Sequence, residues 1–206
     1  IHDNLQRLDV KFASAIGAVF DFYAGRVRRP APVFQRLGLE WLPRLLQERD
    51  FSCAILGSGE PAYEQFLTQL AHEHPTRVSF RRGYSEEHAH WIEAASDMFL
   101  MPSLYEPCGL NQMYSLRYGT VPIVRATGGL RDTVIDADAA PGTGTGFTFE
   151  EYSPAALVAT VRRALAAYGD PERWAEIERR GMREDHSWDV SAREYVKLYK
   201  AMLAGE

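Results

Sequence analysis

Apolar residues recur along this chain in short unbroken runs. Each run is followed by a stretch in which they return every third or fourth position. "AIGAVFDFYAG" (residues 15–25) is rich in small, β-branched and aromatic residues and ends in glycine, which predicts a buried strand. The basic, proline-broken "RVRRPAP" follows. In "FQRLGLEWLPRLLQE" (34–48), Leu39, Leu42, Leu45 and Leu46 then form a helical stripe. The alternation continues, with strands expected over 51–57, 77–83, 97–103, 121–126 and 144–150. Helices are expected over 61–74, 85–95 and 109–119, and the segment "GGLRDTVID" begins at Gly128. Pro61 suits a first helical turn, and Ser85 suits a cap ahead of Glu86 and Glu87. After Ser153 the pattern is helical, with breaks near 169–171 and 181–188. Residues 1–12 are polar and weakly amphipathic and read as a short helix or arm.

Strands this short and this uniformly apolar fit a sheet covered on both faces. Their alternation with helices predicts an α/β fold: a Rossmann-like open parallel sheet with helices on both sides, in one domain over 1–206. Ligands of such sheets gather at the carboxyl ends of the strands. The loops of interest are therefore 26–32, 57–61, 83–86, 103–109 and 127–130.

Composition narrows the function classes. With 46% hydrophobic and 25% charged residues, the 206-residue chain can bury a core without disulfides or metals. A net charge of −5 gives no footprint for nucleic acid. Cys53 and Cys108 have no CxxC spacing and read as reduced thiols of a cytosolic protein. No signal peptide opens the chain and no run of 18 apolar residues occurs, so no membrane is expected. The absence of an initial Met reads as an excised or processed piece. Lysine occurs only at Lys11, Lys197 and Lys200, so internal positive charge is almost all arginine.

Three corners between a strand and a helix carry candidate chemistry. In "GSGEP" (57–61), Gly57, Ser58 and Gly59 would let backbone approach a phosphate or sugar, although a tight turn explains them equally well. In "TGGL" (127–130), Thr127, Gly128 and Gly129 would expose N–H groups as a nest, or form a plain turn. In "EPCGL" (106–110), Glu106 lies just past a strand, and Gly109 and Leu110 open a helix with free N–H groups. Glu106 is there either a helix cap or an acid that holds a ligand. Cys108 reads as a small buried residue. The pairs His72/His74 and His88/His90 do not share a helix face, so no metal is expected. Trp41, Trp91 and Trp174 read as helix packing, and "PERWAEIERRGMRED" as a solvated helix face.

"MPSLYEPCGLNQMYSLRYGTVPIVRATGGLRDTV" closely resembles the bacterial glycogen synthase and plant starch synthase family, retaining glucosyltransferases of the GT-B architecture. The resemblance runs from about 51 to 199 and includes "ILGSGEP", "RRGYSEEHAHWIEAASDMFLMPS" and the "SWD…A…Y…LY" tail. It implies the C-terminal, nucleotide-sugar-binding half, with an acceptor-binding N-terminal half outside the chain. Residues 186–206 would then form a C-terminal helix packing back on that half. It also implies glucosyl transfer from ADP-glucose or UDP-glucose to the 4-OH of an α-glucan, with no metal or cofactor, in the cytoplasm (the plastid if from a plant). Glu106 would be the donor-site acid. Cys108, Gly109, Leu110, Asn111 and Gln112 would line the sugar and phosphate pocket, and Thr127, Gly128 and Gly129 the second phosphate loop. Tyr84 would lie beside the nucleoside, and Arg26 would clamp the diphosphate. One departure stands out: the family's "QKG" lysine is matched only loosely by "QRLGLEWL", with Arg36 in its place. Either Arg36, Arg28 or Arg29 substitutes, or diphosphate binding is weakened. The isolated chain is expected not to elongate glucan. The alternative is a degenerate, non-catalytic relative that binds glucan or a protein partner. A generic dinucleotide-binding domain is disfavoured by the missing GxGxxG.

Overall fold

The computed structural model describes residues 15–20 and 40–204. The alternation of apolar runs and helical stripes becomes six strands and eight helices among these residues. The strands are β1 (Ala15–Phe20), β2 (Ser52–Gly57), β3 (Val78–Arg82), β4 (Met98–Met101), β5 (Val121–Arg125) and β6 (Phe147–Phe149). The helices are α1 (Trp41–Glu48), α2 (Pro61–Glu73), α3 (Glu86–Ala95), α4 (Asn111–Tyr118), α5 (Gly129–Thr133), α6 (Pro154–Tyr168), α7 (Pro171–Arg183) and α8 (Trp188–Ala204). The expected α/β parallel sheet is the one observed, and the expected breaks after Ser153 separate α6, α7 and α8.

The sheet is wholly parallel in the order β3-β2-β1-β4-β5-β6. The chain winds outward from β1 to β3, returns to the other side of β1, and winds outward again from β4. The order therefore reverses between β1 and β4, and ligands of open parallel sheets bind beyond the carboxyl ends of the strands at such a reversal.

Alternation along each strand feeds two cores. Met98 and Leu100 of β4, with Val121 and Ile123 of β5, join Leu45 and Leu46 of α1, Leu157 and Val161 of α6 and Ile177 of α7. Phe99 and Met101 point the other way, toward Val124, Ile92 of α3, and Leu130. Each such side chain, fully buried, contributes roughly 1.5–3 kcal/mol.

Helix ends follow local chemistry. Ser85, Ser153 and Asp170 each accept an N–H of the first turn of α3, α6 and α7, and Pro154 and Pro171 open their helices. Gly119 closes α4 at φ 83°, its N–H donating to the carbonyls of Ser115 and Leu116.

Three expectations change. Trp174 is buried beside Phe147 and Trp41 packs against the core, but Trp91 stands largely exposed on α3. The charge-rich α7 is not merely solvated: Trp174, Ile177 and Gly181 are buried on one face. Cys53 is buried, and burial pushes its thiol up to about 12, whereas Cys108 is exposed, opposite to the expectation. A proline before it and a left-handed glycine after it turn residues 107–109 outward, away from both cores.

Candidate functional site

The corner after β4 and the corner after β5 are neighbours because their strands are paired. They are also locked together. The Gly129 N–H donates to the Glu106 carbonyl at 3.2 Å. A Cβ on Gly128 would stand 1.9 Å from that same carbonyl oxygen, and one on Gly129 would stand 2.0 Å from the Cys108 oxygen. Gly128 holds φ 47°, a conformation that side-chain-bearing residues rarely adopt. Both glycines are thus required by backbone-on-backbone contact.

Gln112 completes the lock from below. It is fully buried, and its Nε2 lies 3.1 Å from the Cys108 carbonyl, 3.0 Å from the Gly109 carbonyl and 3.1 Å from Thr133 Oγ1. Thr133 Oγ1 in turn donates to the Gly129 carbonyl. Gly109, at φ 75°, passes directly over this amide, and a Cβ there would stand 2.4 Å from Oε1. Arg125 ties the corner from the side. Its guanidinium donates to the Leu104 carbonyl at 2.8 Å and the Glu150 carbonyl at 3.0 Å, and lies over the Tyr152 ring.

What this scaffold presents is the start of α4. Among the described residues, the N–H groups of Leu110, Asn111 and Gln112 have no hydrogen-bond acceptor, and neither does that of Gly128. Three unspent donors therefore lie at the N-terminus of α4, where the backbone dipoles favour an anion, and a fourth lies on the neighbouring corner that precedes α5. The half-buried Glu106 carboxyl sits at the edge of this group. Burial pushes it above the usual carboxylate range, and the Gly109 N–H pulls it back only in part. The helix itself is capped at Leu110 without a side-chain hydrogen bond, and Glu106 lies one corner earlier, beside the Gly109 N–H.

Of the other sequence candidates, Tyr84 is exposed on the loop after β3. The loop at Gly57, Ser58 and Gly59 is closed rather than open. The Gly59 N–H donates to Glu64 Oε1 at 2.9 Å, and Glu64 also pairs with Arg82 at 2.8 Å. Of the nest expected in Thr127, Gly128 and Gly129, two N–H groups are spent internally, on Arg125 and Glu106. Gln112 faces inward and Asn111 is only half-buried, so the two amides differ in role. His88 is held between Arg81 and Ser85, and His90 lies against Tyr114. Arg26, Arg28, Arg29 and Arg36, and the arm 1–12, lie outside the described residues. Arg125, Thr133 and Glu64 were not singled out from sequence, because nothing in their spacing announces a partner supplied by another corner. Among the described residues no group of three or more His, Cys, Asp or Glu gathers to hold a metal ion. No helix there is long and apolar enough to cross a membrane.

The family model described as glycosyl transferases group 1 matches residues 35–181. The chain belongs to the group 1 glycosyltransferases. Group 1 membership covers every corner that builds the site described above. The chain is 56% identical over 164 residues to the glycogen synthase of Anaeromyxobacter dehalogenans (strain 2CP-1), covering 80% of this chain and 34% of that protein. It is 49% identical over 160 residues to the glycogen synthase of Bacillus cereus (strain Q1), covering 78% of this chain and 34% of that one. It thus spans about a third of the length of these curated relatives. The catalytic domain of starch synthase IV from Arabidopsis thaliana, solved bound to ADP and acarbose, superposes with a TM-score of 0.77 at 28% identity. That match covers 98% of this chain and 42% of the other. The sheet is accordingly that of the C-terminal half of a GT-B glycosyltransferase. A second model, of the WecG/TagA/CpsF glycosyl transferase family, matches residues 1–51. Arg26 falls inside that second match and outside the group 1 match, while Arg36 lies where the two overlap.

Proposed function

We propose that this chain is the donor-binding part of a retaining α-1,4-glucan synthase that takes its glucosyl group from ADP-glucose or UDP-glucose. The observation that carries the reading is the set of unspent N–H groups at the start of α4 and on Gly128, beside the Glu106 carboxyl. Those donors suit a diphosphate, whose negative charge grows as the bond to glucose breaks; fixed N–H dipoles stabilise that charge without reorganising. Glu106 suits glucose hydroxyls, which need an acceptor. Cys108 and Leu110, exposed beside them, line the sugar, and Tyr84 the nucleoside. The similarity to glycogen synthases supports glucan as acceptor, and the bacterial relatives support a cytoplasmic location.

Transfer needs an acceptor groove and closure over the donor. In this reading both come from an N-terminal half. The C-terminal helix α8 would pack against it: α8 buries no residue, and Trp188, Met202 and Leu203 stand exposed along it. The chain alone is expected to bind ADP but not to elongate glucan.

Calorimetric titration with ADP and with UDP tests the reading. Saturable binding of one of them is expected. Glu106→Gln should leave nucleotide binding within about twofold but weaken the nucleotide sugar about tenfold, as expected for loss of a charged hydrogen-bond acceptor. No heat from either nucleotide at millimolar concentration would favour a second reading, a non-catalytic domain binding glucan or a protein partner. Its motivation is specific: the family lysine is missing, and Arg26 lies in the segment matched by a different family.

A further inference from the structure

Glu106 hangs in a loop that runs from Met101, the last residue of β4, to Asn111, the first of α4. Past the buried Pro102 this loop has little apolar anchorage, since Ser103 and Leu104 are half-buried and Tyr105 is exposed. Its downstream side is held by the Gly129 N–H at the Glu106 carbonyl and by the Gln112 amide at the Cys108 and Gly109 carbonyls. On the upstream side, among the described residues, the tie to Leu104 and Tyr105 is a single hydrogen bond. Arg125 Nη1 donates to the Leu104 carbonyl at 2.8 Å.

Arg125 is the last residue of β5, and its guanidinium joins two loops. While Nη1 holds Leu104, Nε holds the Glu150 carbonyl, just past β6, at 3.0 Å. The Tyr152 ring lies against the same group, its centroid 5.4 Å from Cζ. The donors of a guanidinium are fixed in one plane, so the Leu104 carbonyl is held in direction as well as in distance. That carbonyl lies two residues before Glu106.

We propose that Arg125 is a positioning residue for Glu106: acting through the Leu104 carbonyl, it sets where the carboxyl stands relative to the N–H groups that open α4. The inference deepens the donor-binding reading and rests on it. The N–H groups of Leu110, Asn111 and Gln112 belong to α4, and that of Gly128 to the loop after β5, so neither set hangs on Leu104. The Glu106 carboxyl does. With the fork removed, residues 103–105 are free to swing, and the carboxyl leaves the Gly109 N–H that now donates to it. Binding of the glucosyl part of the donor therefore depends on Arg125, while binding of the diphosphate does not.

Two measurements on the whole chain test this, with Arg125→Met, which removes the fork and keeps an unbranched stem. The first is amide hydrogen exchange without ligand. The Gly109 and Gly129 amides should exchange about tenfold faster or more than in wild type, and the Gly119 amide at the far end of α4 should be unchanged. A merely structural role would speed all three alike, and that result, or no change at Gly109 and Gly129, would overturn the proposal. The second is titration with ADP and ADP-glucose, and with UDP and UDP-glucose. Arg125→Met should weaken the nucleotide sugar about tenfold and the nucleotide less than about twofold. In a Glu106→Gln background the same change should cost less than about twofold, because the carboxyl it positions is gone. Equal losses for nucleotide and nucleotide sugar, or a full tenfold loss in the Glu106→Gln background, would overturn it. If wild type binds neither pair, the donor reading falls, and the exchange result alone decides whether Arg125 positions the corner. Should Arg125→Met fail to fold, Arg125→Lys replaces it with the same expectations, because one ammonium cannot span both carbonyls.

Discussion

Gly129→Ala should disable the site while leaving the rest of the sheet folded. The added Cβ would stand 2.0 Å from the Cys108 oxygen and 2.6 Å from its Cα, atoms of the backbone that cannot swing aside. Relief requires residues 106–109 to move off the loop after β5, which breaks the Gly129-to-Glu106 hydrogen bond and pulls Cys108 away from the Gln112 amide. Overpacking of this kind costs about 1–3 kcal/mol. The unspent N–H groups of α4 lose their alignment with Gly128, so nucleotide affinity should fall about tenfold or more by calorimetry, a loss of 1.4 kcal/mol or greater. Gly128→Ala should be at least as severe, because φ 47° adds backbone strain to the collision with the Glu106 oxygen. Gly142→Ala is the control: a Cβ there meets nothing within 4 Å, and affinity and Tm should match wild type. Wild-type affinity in Gly129→Ala would mean that the two corners do not build one site.

The second large effect concerns stability. Asp136 begins the loop that leads into β6. Its Oδ1 accepts the N–H groups of Asp138 and Ala139, and its Oδ2 accepts the Thr148 N–H at 2.7 Å. Arg163 of α6 donates to both oxygens at 3.1 Å, and also to Asp138 and the Thr148 carbonyl. Burial alone would raise the carboxyl, but the Arg163 hydrogen bonds and the N–H groups of Thr148 and Ala139 outweigh it and hold Asp136 down at about 2. The folded value lies below the ordinary 3.8, so the stabilisation is complete above about 3.8 and is lost as pH falls through about 2. The shift is worth about 2 kcal/mol. Asp136→Asn should lower Tm at neutral pH by about 5–10 °C, because Arg163 keeps only one of its two carboxylate partners. Its deficit relative to wild type should shrink as pH approaches 2. A deficit independent of pH would mean that packing, not charge, ties β6 to α6.

The two halves of the molecule were legible to different degrees. The periodicity of Leu42, Leu45 and Leu46, and the unbroken runs around Met98–Met101 and Val121–Arg125, predicted elements found in place. Apolar period and strand length are local properties, and burial on two faces reads them directly. Ser85 and Pro61 were equally readable, since a cap acts within one turn. The exposure of Cys108 and of Trp91 was misread. Each depends on where a corner or a helix face ends up, and the composition around it does not encode that. Arg26 was read by its resemblance to one family's pattern, yet its segment is matched by another's.

By itself, the sequence determined the parallel α/β sheet, the corner at Glu106–Leu110 as its most chemical feature, and the glycosyltransferase family. The first two rest on short-range patterns of side-chain size and polarity, and the family on the resemblance of long motifs. Only the tertiary structure decided which N–H groups remain unspent. Gly59 and Gly129 looked as available as Gly128, but Glu64 and the Glu106 carbonyl, brought in by other loops, take up the first two. The tertiary structure likewise set Gln112 as a lock beneath the site and left Glu93 buried with one carboxylate oxygen unpartnered. Hydrogen-bond capacity is written in each residue, but whether it is satisfied depends on contacts between corners that the chain separates.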